Sequence, residues 1–208
     1  MSDAAELLRD FVNTYDVEDD ADELTSPAAL AAWLRGRALI SGDDLADDDR
    51  AAGDRACDDD LAAAVALREG LRAALRHNHD RAASIETPAG PPPELAERLA
   101  ALPLRVTLAG GAPALEPIEG GVRGGLARLA AAIVEAHATG MWPRLKVCVE
   151  HSCEWAFIDS SKNRSRSWCS MKVCGNRTKT RAYRARRKDP GPDTGGDTVG
   201  DANLAARR

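Results

Sequence analysis

The segment from Cys148 to Lys188 reads CVEHSCEWAFIDSSKNRSRSWCSMKVCGNRTKTRAYRARRK and organises the C-terminal third of the chain. It holds four of the five cysteines of the 208-residue chain, as two C-x4-C pairs that are 15 residues apart: Cys148 with Cys153, and Cys169 with Cys174. Two short loops that each present two thiolates can surround one tetrahedral zinc ion. A four-residue spacer lies at the long end of the structural-zinc range, so the spacing indicates zinc without deciding for it.

Two other uses of these cysteines compete with a metal site. Disulfides need an oxidising compartment, whereas residues 1–10 carry Asp3, Glu6 and Asp10 and lack the basic start of a secretion signal, which favours the cytoplasm. A redox pair is typically C-x-x-C, and neither pair has that spacing. We therefore predict one structural Zn²⁺ per chain, held by four sulfurs. His151 could substitute as a ligand, but we expect it to face solvent.

The charge of the chain is distributed unevenly. Residues 144–188 carry 13 Lys and Arg against three acids, a net +10, while the rest of the chain carries 15 basic and 30 acidic residues, a net −15. A basic module joined to an acidic body is typical of nucleic-acid-binding proteins, and the alternative is two solvated faces that keep the chain soluble. A hydrophobic content of 44% argues against wholesale disorder. Charges interrupt every apolar run, so no membrane partner is expected.

The end of the quoted stretch predicts a basic helix over residues 170–188. At about 100° per residue, Met171, Cys174, Thr178, Ala182 and Ala185 form a stripe of small residues, and a separate row carries four cations. Such a row needs a partner that neutralises it, and phosphates are the natural one. Gly175 leaves open a helix that begins near Asn176, a residue suited to an N-cap. The predicted nucleic-acid contacts in this helix and the preceding loop are Arg164, Arg166, Arg177, Lys179, Arg181, Arg184 and Lys188.

The segment between the cysteine pairs predicts a short strand at residues 155–158. We interpret Trp155, Phe157 and Trp168 as core residues, with base stacking as the alternative. Asp159, Ser161 and Asn163 are turn formers that could hydrogen-bond the backbone or the thiolates.

Many of these residues together resemble the CGNR-type zinc finger, a family named for the tetrapeptide that reads Cys174-Gly175-Asn176-Arg177 here. The resemblance extends over about 45 residues. It rests on both cysteine pairs, Trp155, Phe157, Asp159-x-Ser161-x-Asn163-x-x-Arg166, Trp168-Cys169 and Lys179. It implies zinc binding and DNA as the partner.

Residues 1–140 predict a mostly helical body. Helices are expected over residues 3–15, 27–40, 94–102 and 126–138, and another begins where Asp60 can act as a cap. Alternation over residues 104–118 predicts a β-hairpin. The fold class is therefore mainly α with a small β-hairpin (α+β), followed by the finger at residues 144–188. The tail at residues 189–208 is rich in Gly, Pro and Asp, and we predict it to be disordered.

This body resembles the ABATE domain that precedes CGNR fingers. The supporting residues are Phe11-Val12-Asn13-Thr14, Trp33-Leu34, Leu67-Arg68-Glu69 and Leu71-Arg72. The resemblance implies a stress-induced transcription regulator of bacteria, in which the body senses a small-molecule effector or forms a homodimer. Asn13, Arg68 and Arg72 could line an effector pocket, although we favour a structural role for them.

The chain contains no nucleophile elbow, phosphate loop or HExxH motif, so we expect no enzymatic activity. Our leading hypothesis is a zinc-dependent DNA-binding regulator. The alternative is a zinc-stabilised module that binds RNA or protein, including the acidic body of the same chain.

Overall fold

The computed structural model describes residues 3–40, 56–80, 92–108 and 111–188. Six α-helices lie in these ranges: α1 (Asp3–Val12), α2 (Pro27–Gly36), α3 (Asp58–Asp80), α4 (Pro93–Ala100), α5 (Gly121–Ala138) and α6 (Asn176–Lys188). A short 3-10 helix covers Trp142–Arg144. The strands pair into three two-stranded antiparallel sheets: β1 (Tyr15–Asp16) with β2 (Ala21–Asp22), β3 (Leu104–Thr107) with β4 (Ala114–Pro117), and β5 (Leu145–Val147) with β6 (Ala156–Ile158). The predicted fold class, mainly α with a small β part, is confirmed. The tail at residues 189–208 lies outside the described residues.

Local signals explain where the helices begin. Ser26 caps α2, because its hydroxyl accepts the backbone N–H of Ala29 at 3.2 Å, and Pro27 fits the first turn. The third helix begins at Asp58, two residues before the predicted cap. Asp60 lies inside its first turn and accepts the backbone N–H of Cys57 at 3.1 Å, so it caps the helix by reaching back.

The core lies where α1, α2, α3 and α5 meet. Phe11, Leu34, Leu71 and Leu126 are fully buried there. Gly125 permits the close approach of α5, since an added Cβ would lie 2.9 Å from Cγ2 of Ile40 and 3.1 Å from Cδ1 of Leu34. The predicted hairpin is also confirmed: β3 pairs with β4 in a register that places Leu104 opposite Pro117.

The core continues into the finger. Leu145, Val147 and Ala156 belong to the same buried cluster as the helices of the body. Strand β5 packs on α3, and β6 packs on α1. The predicted strand at residues 155–158 is confirmed, while its partner β5 and the β1–β2 pair were not foreseen. The domain boundary between residues 140 and 144 stays a prediction, and the packing joins the two segments on either side of it.

The basic helix has a composite start. Residues Met171–Gly175 form one π-helical turn, and the α-helix follows from Asn176, so both predicted starting points have a counterpart. The hydroxyl of Ser170 caps the π turn by accepting the backbone N–H of Val173 at 3.4 Å. Asn176 is not the N-cap: its backbone is helical, and its side-chain amide donates to the carbonyl of Lys172 at 3.0 Å.

A membrane-spanning element would need a long apolar helix. None of the helices in the described ranges has that combination of length and apolar character.

Candidate metal centre and nucleic-acid interface

The four cysteines that were predicted to bind zinc lie close together at one end of the finger. The Sγ atoms of Cys148, Cys153, Cys169 and Cys174 all lie within 4.8 Å of one another. Two of these separations are 3.6 Å, from Cys153 to Cys169, and 3.7 Å, from Cys169 to Cys174. Four sulfurs about 2.3 Å from one zinc ion form a tetrahedron with edges of about 3.8 Å. The sulfur positions therefore fit one structural zinc.

The same distances argue against the disulfide alternative. Bonded sulfurs lie about 2.0 Å apart, and all four cysteines are free thiols. His151 is exposed and lies outside the cysteine group, so the prediction that it faces solvent is confirmed.

The first cysteine pair sits in the β5–β6 connection, which the backbone holds tightly. The N–H of Cys148 donates to the carbonyl of Trp155 at 2.9 Å, and the N–H of Cys153 donates to the carbonyl of Glu150 at 2.8 Å. The N–H of Trp155 donates to the sulfur of Cys153. This N–H···S bond orients a ligand, as the outer hydrogen bonds of zinc sites commonly do.

The electrostatics of the cluster favour a bound cation. Burial raises the pKa of Cys153, and neighbouring sulfur charges raise it further. Burial and the same charges raise the pKa of Cys169 to about 12. These two buried thiols do not ionise at neutral pH without a positive charge beside them. Zinc supplies that charge, and a closed set of four sulfurs suits a structural ion rather than a catalytic one.

Each residue of the CGNR tetrapeptide has a contact that explains it. Cys174 belongs to the sulfur cluster. Gly175 leaves room for Met171, whose Sδ would lie 2.5 Å from an added Cβ. Asn176 bonds back into the π turn, as described above. Arg177 donates to Oγ of Ser152 at 3.2 Å and to a carboxylate oxygen of Glu18 at 2.6 Å.

A buried carboxylate ties α6 to the first cysteine loop. Glu150 accepts both Nη atoms of Arg181 at 3.0 Å, and it accepts the hydroxyl of Thr178 at 3.1 Å. Burial favours the neutral acid, but the hydrogen bonds from Arg181 and Thr178 outweigh it and lower the pKa of Glu150. The guanidinium of Arg181, predicted to contact phosphate, is thus committed to Glu150.

A second buried carboxylate shapes the loop at residues 159–168. Asp159 is 0% exposed and accepts Nζ of Lys146 at 2.9 Å. It also accepts the backbone N–H groups of Ser161 and Arg166, each at 2.9 Å. Burial favours the neutral acid, but the hydrogen bonds from Ser161 and Lys146 outweigh burial and lower the pKa of Asp159 to about 2. The prediction that Asp159 bonds the backbone is confirmed, and its carboxylate holds the loop in one shape.

The structure divides the predicted nucleic-acid contacts into two groups. Arg164, Lys179 and Arg184 are exposed and make no ion pair within the described residues. Arg166 donates to the carbonyls of Trp168 and Cys169 and lies over the ring of Phe157, with its Cζ 4.9 Å from the centroid. Arg177 and Arg181 are paired with carboxylates in the contacts given above, and the side chain of Lys188 lies outside the described part.

Two cations were missed as candidate contacts. Lys162 and Lys172 are exposed and, in the ranges that the structure describes, unpaired. Both contributed to the positive charge of residues 144–188. They were missed because neither lies in the predicted helical row.

The three aromatic residues differ in burial. Phe157 is buried, and Trp168 packs against the cysteine cluster and donates its indole N–H to the hydroxyl of Thr178 at 3.3 Å. Both fit the predicted core role. Trp155 is 37% exposed, so the core interpretation is wrong for this residue. Its neighbour Ala156 takes the buried position against the body instead.

The predicted effector residues have structural partners. Arg68 donates to both carboxylate oxygens of Asp22, at 2.7 and 2.8 Å. Asn13 forms two bonds with the backbone of Ala156, one to its carbonyl at 3.0 Å and one from its N–H at 2.7 Å.

Arg72 is almost fully buried and donates to the carbonyls of Val12, Tyr15 and Glu154. The structural interpretation of the three predicted effector residues therefore holds. Asn13 and Arg72 have a role that the sequence did not reveal, because they join the body to the finger.

Comparisons with known proteins agree with this geometry. The family model "CGNR zinc finger" matches residues 144–187. The model ABATE, described as "Putative stress-induced transcription regulator", matches residues 5–140. A comparison with curated proteins finds no match. The ABATE model covers more than half of the chain, and the four cysteines cluster in the segment that follows it. The chain therefore belongs to the ABATE family and carries a CGNR zinc finger.

Proposed function

We propose that this protein is a zinc-dependent DNA-binding transcription regulator whose finger binds the phosphate backbone. The observation that carries the proposal is that every acid in residues 144–188 is already paired with a cation of this chain. Glu150 pairs with Arg181, Glu154 with Arg76 and Asp159 with Lys146. No acid of the segment is left to neutralise its exposed cations, so a polyanion is the partner that suits this surface.

The proposed phosphate contacts lie on two elements, the loop at residues 159–168 and α6, which buried carboxylates and the cysteine cluster hold in place. Arg164 and Lys162 lie in the loop at residues 159–168, which Asp159 shapes. Lys179 and Arg184 lie on α6, which Glu150 and Cys174 anchor. We assign direct phosphate contacts to these cations and to Lys172. Arg166, Arg177 and Arg181 add positive charge while they hold the surface together, and Lys188 stays a predicted contact.

A titration against labelled duplex DNA at several salt concentrations tests the proposal. The zinc-loaded full chain should bind with an affinity that falls steeply with salt, with a slope of about −0.9 for each phosphate contact. Arg164→Gln, Lys179→Gln and Arg184→Gln should each weaken binding and reduce the slope by about one contact. Arg98→Gln is the matched control, because Arg98 is an exposed arginine of α4, on the body. Absent or salt-independent binding would contradict the proposal, and equal binding to duplex RNA would favour an RNA-binding module.

The proposed role of the body is to sense a small-molecule effector. A cleft of about 740 Å³ lies between α1, α5 and the β3–β4 hairpin. Its walls carry charges of both signs, among them Arg37, Arg128, Glu6 and Glu119. A small zwitterionic or charged effector suits such walls, and a homodimer is the second use we propose for the body. We place such a regulator in the cytoplasm, with the DNA, and assign it no catalytic step.

A further inference from the structure

A cleft beside the finger combines an exposed indole with two guanidinium groups. Its volume is about 460 Å³, and it lies where α1 meets β6 and the loop at residues 159–168. Trp155, Phe157, Arg9 and Arg166 contribute to its lining. Among the described residues no carboxylate lines this cleft. Arg9 is paired with Asp10 at 2.7 Å, so Arg166 is the guanidinium of this cleft that no carboxylate neutralises within the described residues.

The exposed indole of Trp155 is attached to a backbone that hydrogen bonds hold on both sides. The carbonyl of Trp155 accepts the N–H of Cys148 at 2.9 Å, and its own N–H bonds to the sulfur of Cys153. The preceding carbonyl, of Glu154, accepts a guanidinium N–H of Arg72 at 2.9 Å. A side chain on a backbone fixed in this way loses less conformational freedom on binding a planar partner than one on an unbonded loop.

The guanidinium of Arg166 is also held in place. Its Nε donates to the carbonyl of Trp168 at 2.8 Å, its Nη2 donates to the carbonyl of Cys169, and its Cζ lies 4.9 Å from the centre of the Phe157 ring. Its Nη1 makes no hydrogen bond within the described part of the chain. This nitrogen can donate to a phosphate or to the edge of a base that enters the cleft.

We infer that this cleft binds one unpaired base of a nucleic-acid strand, stacked on Trp155 with its phosphate near Arg166. The inference rests on the proposed function, because it assumes that the surrounding cations bind nucleic acid. Stacking on an aromatic side chain accepts any base, and it needs a base that is not paired within a duplex. The finger therefore prefers single strands, or duplexes with an unpaired base, to fully matched duplexes.

The test compares a labelled single strand with a matched hairpin duplex of the same number of phosphates, using the zinc-loaded full chain. Trp155→Ala should weaken binding to the single strand by about fivefold to a hundredfold. Trp155→Phe should retain most of the affinity, since it keeps an aromatic face. The dependence of affinity on salt should not change in either variant, because no charge is removed. Leu108→Ala is the control, since Leu108 is 71% exposed in the hairpin segment of the body.

A second measurement does not depend on any variant. A single strand that carries 2-aminopurine at successive positions should show strong quenching at one position when the wild-type protein binds. Binding without quenching at any position would overturn the inference and leave the cleft to a protein partner. Equal losses for single strand and duplex in Trp155→Ala, with zinc content unchanged, would also overturn it. Failure of the wild-type protein to bind either nucleic acid would instead overturn the proposed function itself.

Discussion

The two ends of the zinc finger are stabilised by different forces. At the end that contains β5 and β6, Leu145, Val147 and Ala156 are buried in the apolar core of the body. At the cysteine end, the described residues form a small buried cluster of Cys148, Cys153 and Cys174, with Trp168 and Cys169 partly buried against it. An apolar core of that size contributes little to folding. The comparison shows that one short segment can depend on hydrophobic packing at one end and on a metal at the other.

Removing the metal should unfold the cysteine end and leave the end with β5 and β6 folded. This is the largest effect that we expect. Zinc binding at four-cysteine sites contributes on the order of 10 kcal/mol to folding. Cys174→Ser, or a chelator, should therefore abolish zinc binding and remove the protection of α6 from hydrogen exchange. Strand β5 and the helices of the body should keep theirs, because the apolar core holds them.

Metal analysis by mass spectrometry and hydrogen exchange resolved by residue check this prediction. Cys57→Ser is the matched control, since Cys57 is exposed and lies outside the cysteine cluster. Zinc should also be lost on acidification, because protons compete for sulfurs whose pKa values burial has raised. If the metal-free protein still protects α6 from hydrogen exchange, the cysteine end does not depend on zinc.

Breaking the ion pair that lies between the two ends should give the next largest effect. Asp159→Asn leaves the ammonium group of Lys146 buried without its counter-charge, which costs about 3–5 kcal/mol. Urea unfolding of the zinc-loaded protein measures the loss. Asp19→Asn is the control, because Asp19 is exposed. If both variants unfold at the wild-type urea concentration, the pair does not hold the loop at residues 159–168.

Removing the hydrogen bonds that join the body to the finger should lower the stability by a smaller amount. Asn13→Ala removes both bonds to the backbone of Ala156 and leaves a buried N–H without a partner. Such a loss costs about 1–3 kcal/mol. Thermal unfolding and hydrogen exchange at β6 should detect it, while zinc content stays at one per chain. Asn163→Ala, an exposed position in the loop at residues 159–168, serves as the control. A loss of zinc in Asn13→Ala would show that the two ends are not independent.

The smallest expected effect on stability concerns the contact between α6 and the body. Glu18→Gln removes the charge that pairs with Arg177 across 2.6 Å. Exposed pairs of this kind contribute little to stability. The guanidinium of Arg177 becomes free for phosphate, so the salt slope of DNA binding should steepen by about one contact. Glu23→Gln, an exposed acid just beyond the same β1–β2 pair, should leave the slope unchanged. An unchanged slope in Glu18→Gln would show that Arg177 stays with the finger when DNA binds.

The cysteine cluster and the main helices were predictable for a local reason. The spacing of the cysteines and the periodicity of apolar residues are properties of short stretches of chain. The joint between body and finger was not predictable, since Asn13 and Ala156 are 143 residues apart. The exposure of Trp155 was missed for a similar reason. Its alternation with Phe157 in the predicted strand suggested core packing, whereas the structure buries Ala156 and leaves Trp155 37% exposed.

The amino-acid sequence alone determined the ligand set, the order of the family domains and the excess of positive charge in the finger. Each of these depends on composition and short-range spacing. Only the tertiary structure decided which cations are free. Arg181 and Arg184 are both exposed cations of α6, yet Arg181 is paired with buried Glu150, whereas Arg184 makes no ion pair within the described residues. The physical reason is that a charge is neutralised by what lies beside it in space, and folding brings those partners together from distant parts of the chain.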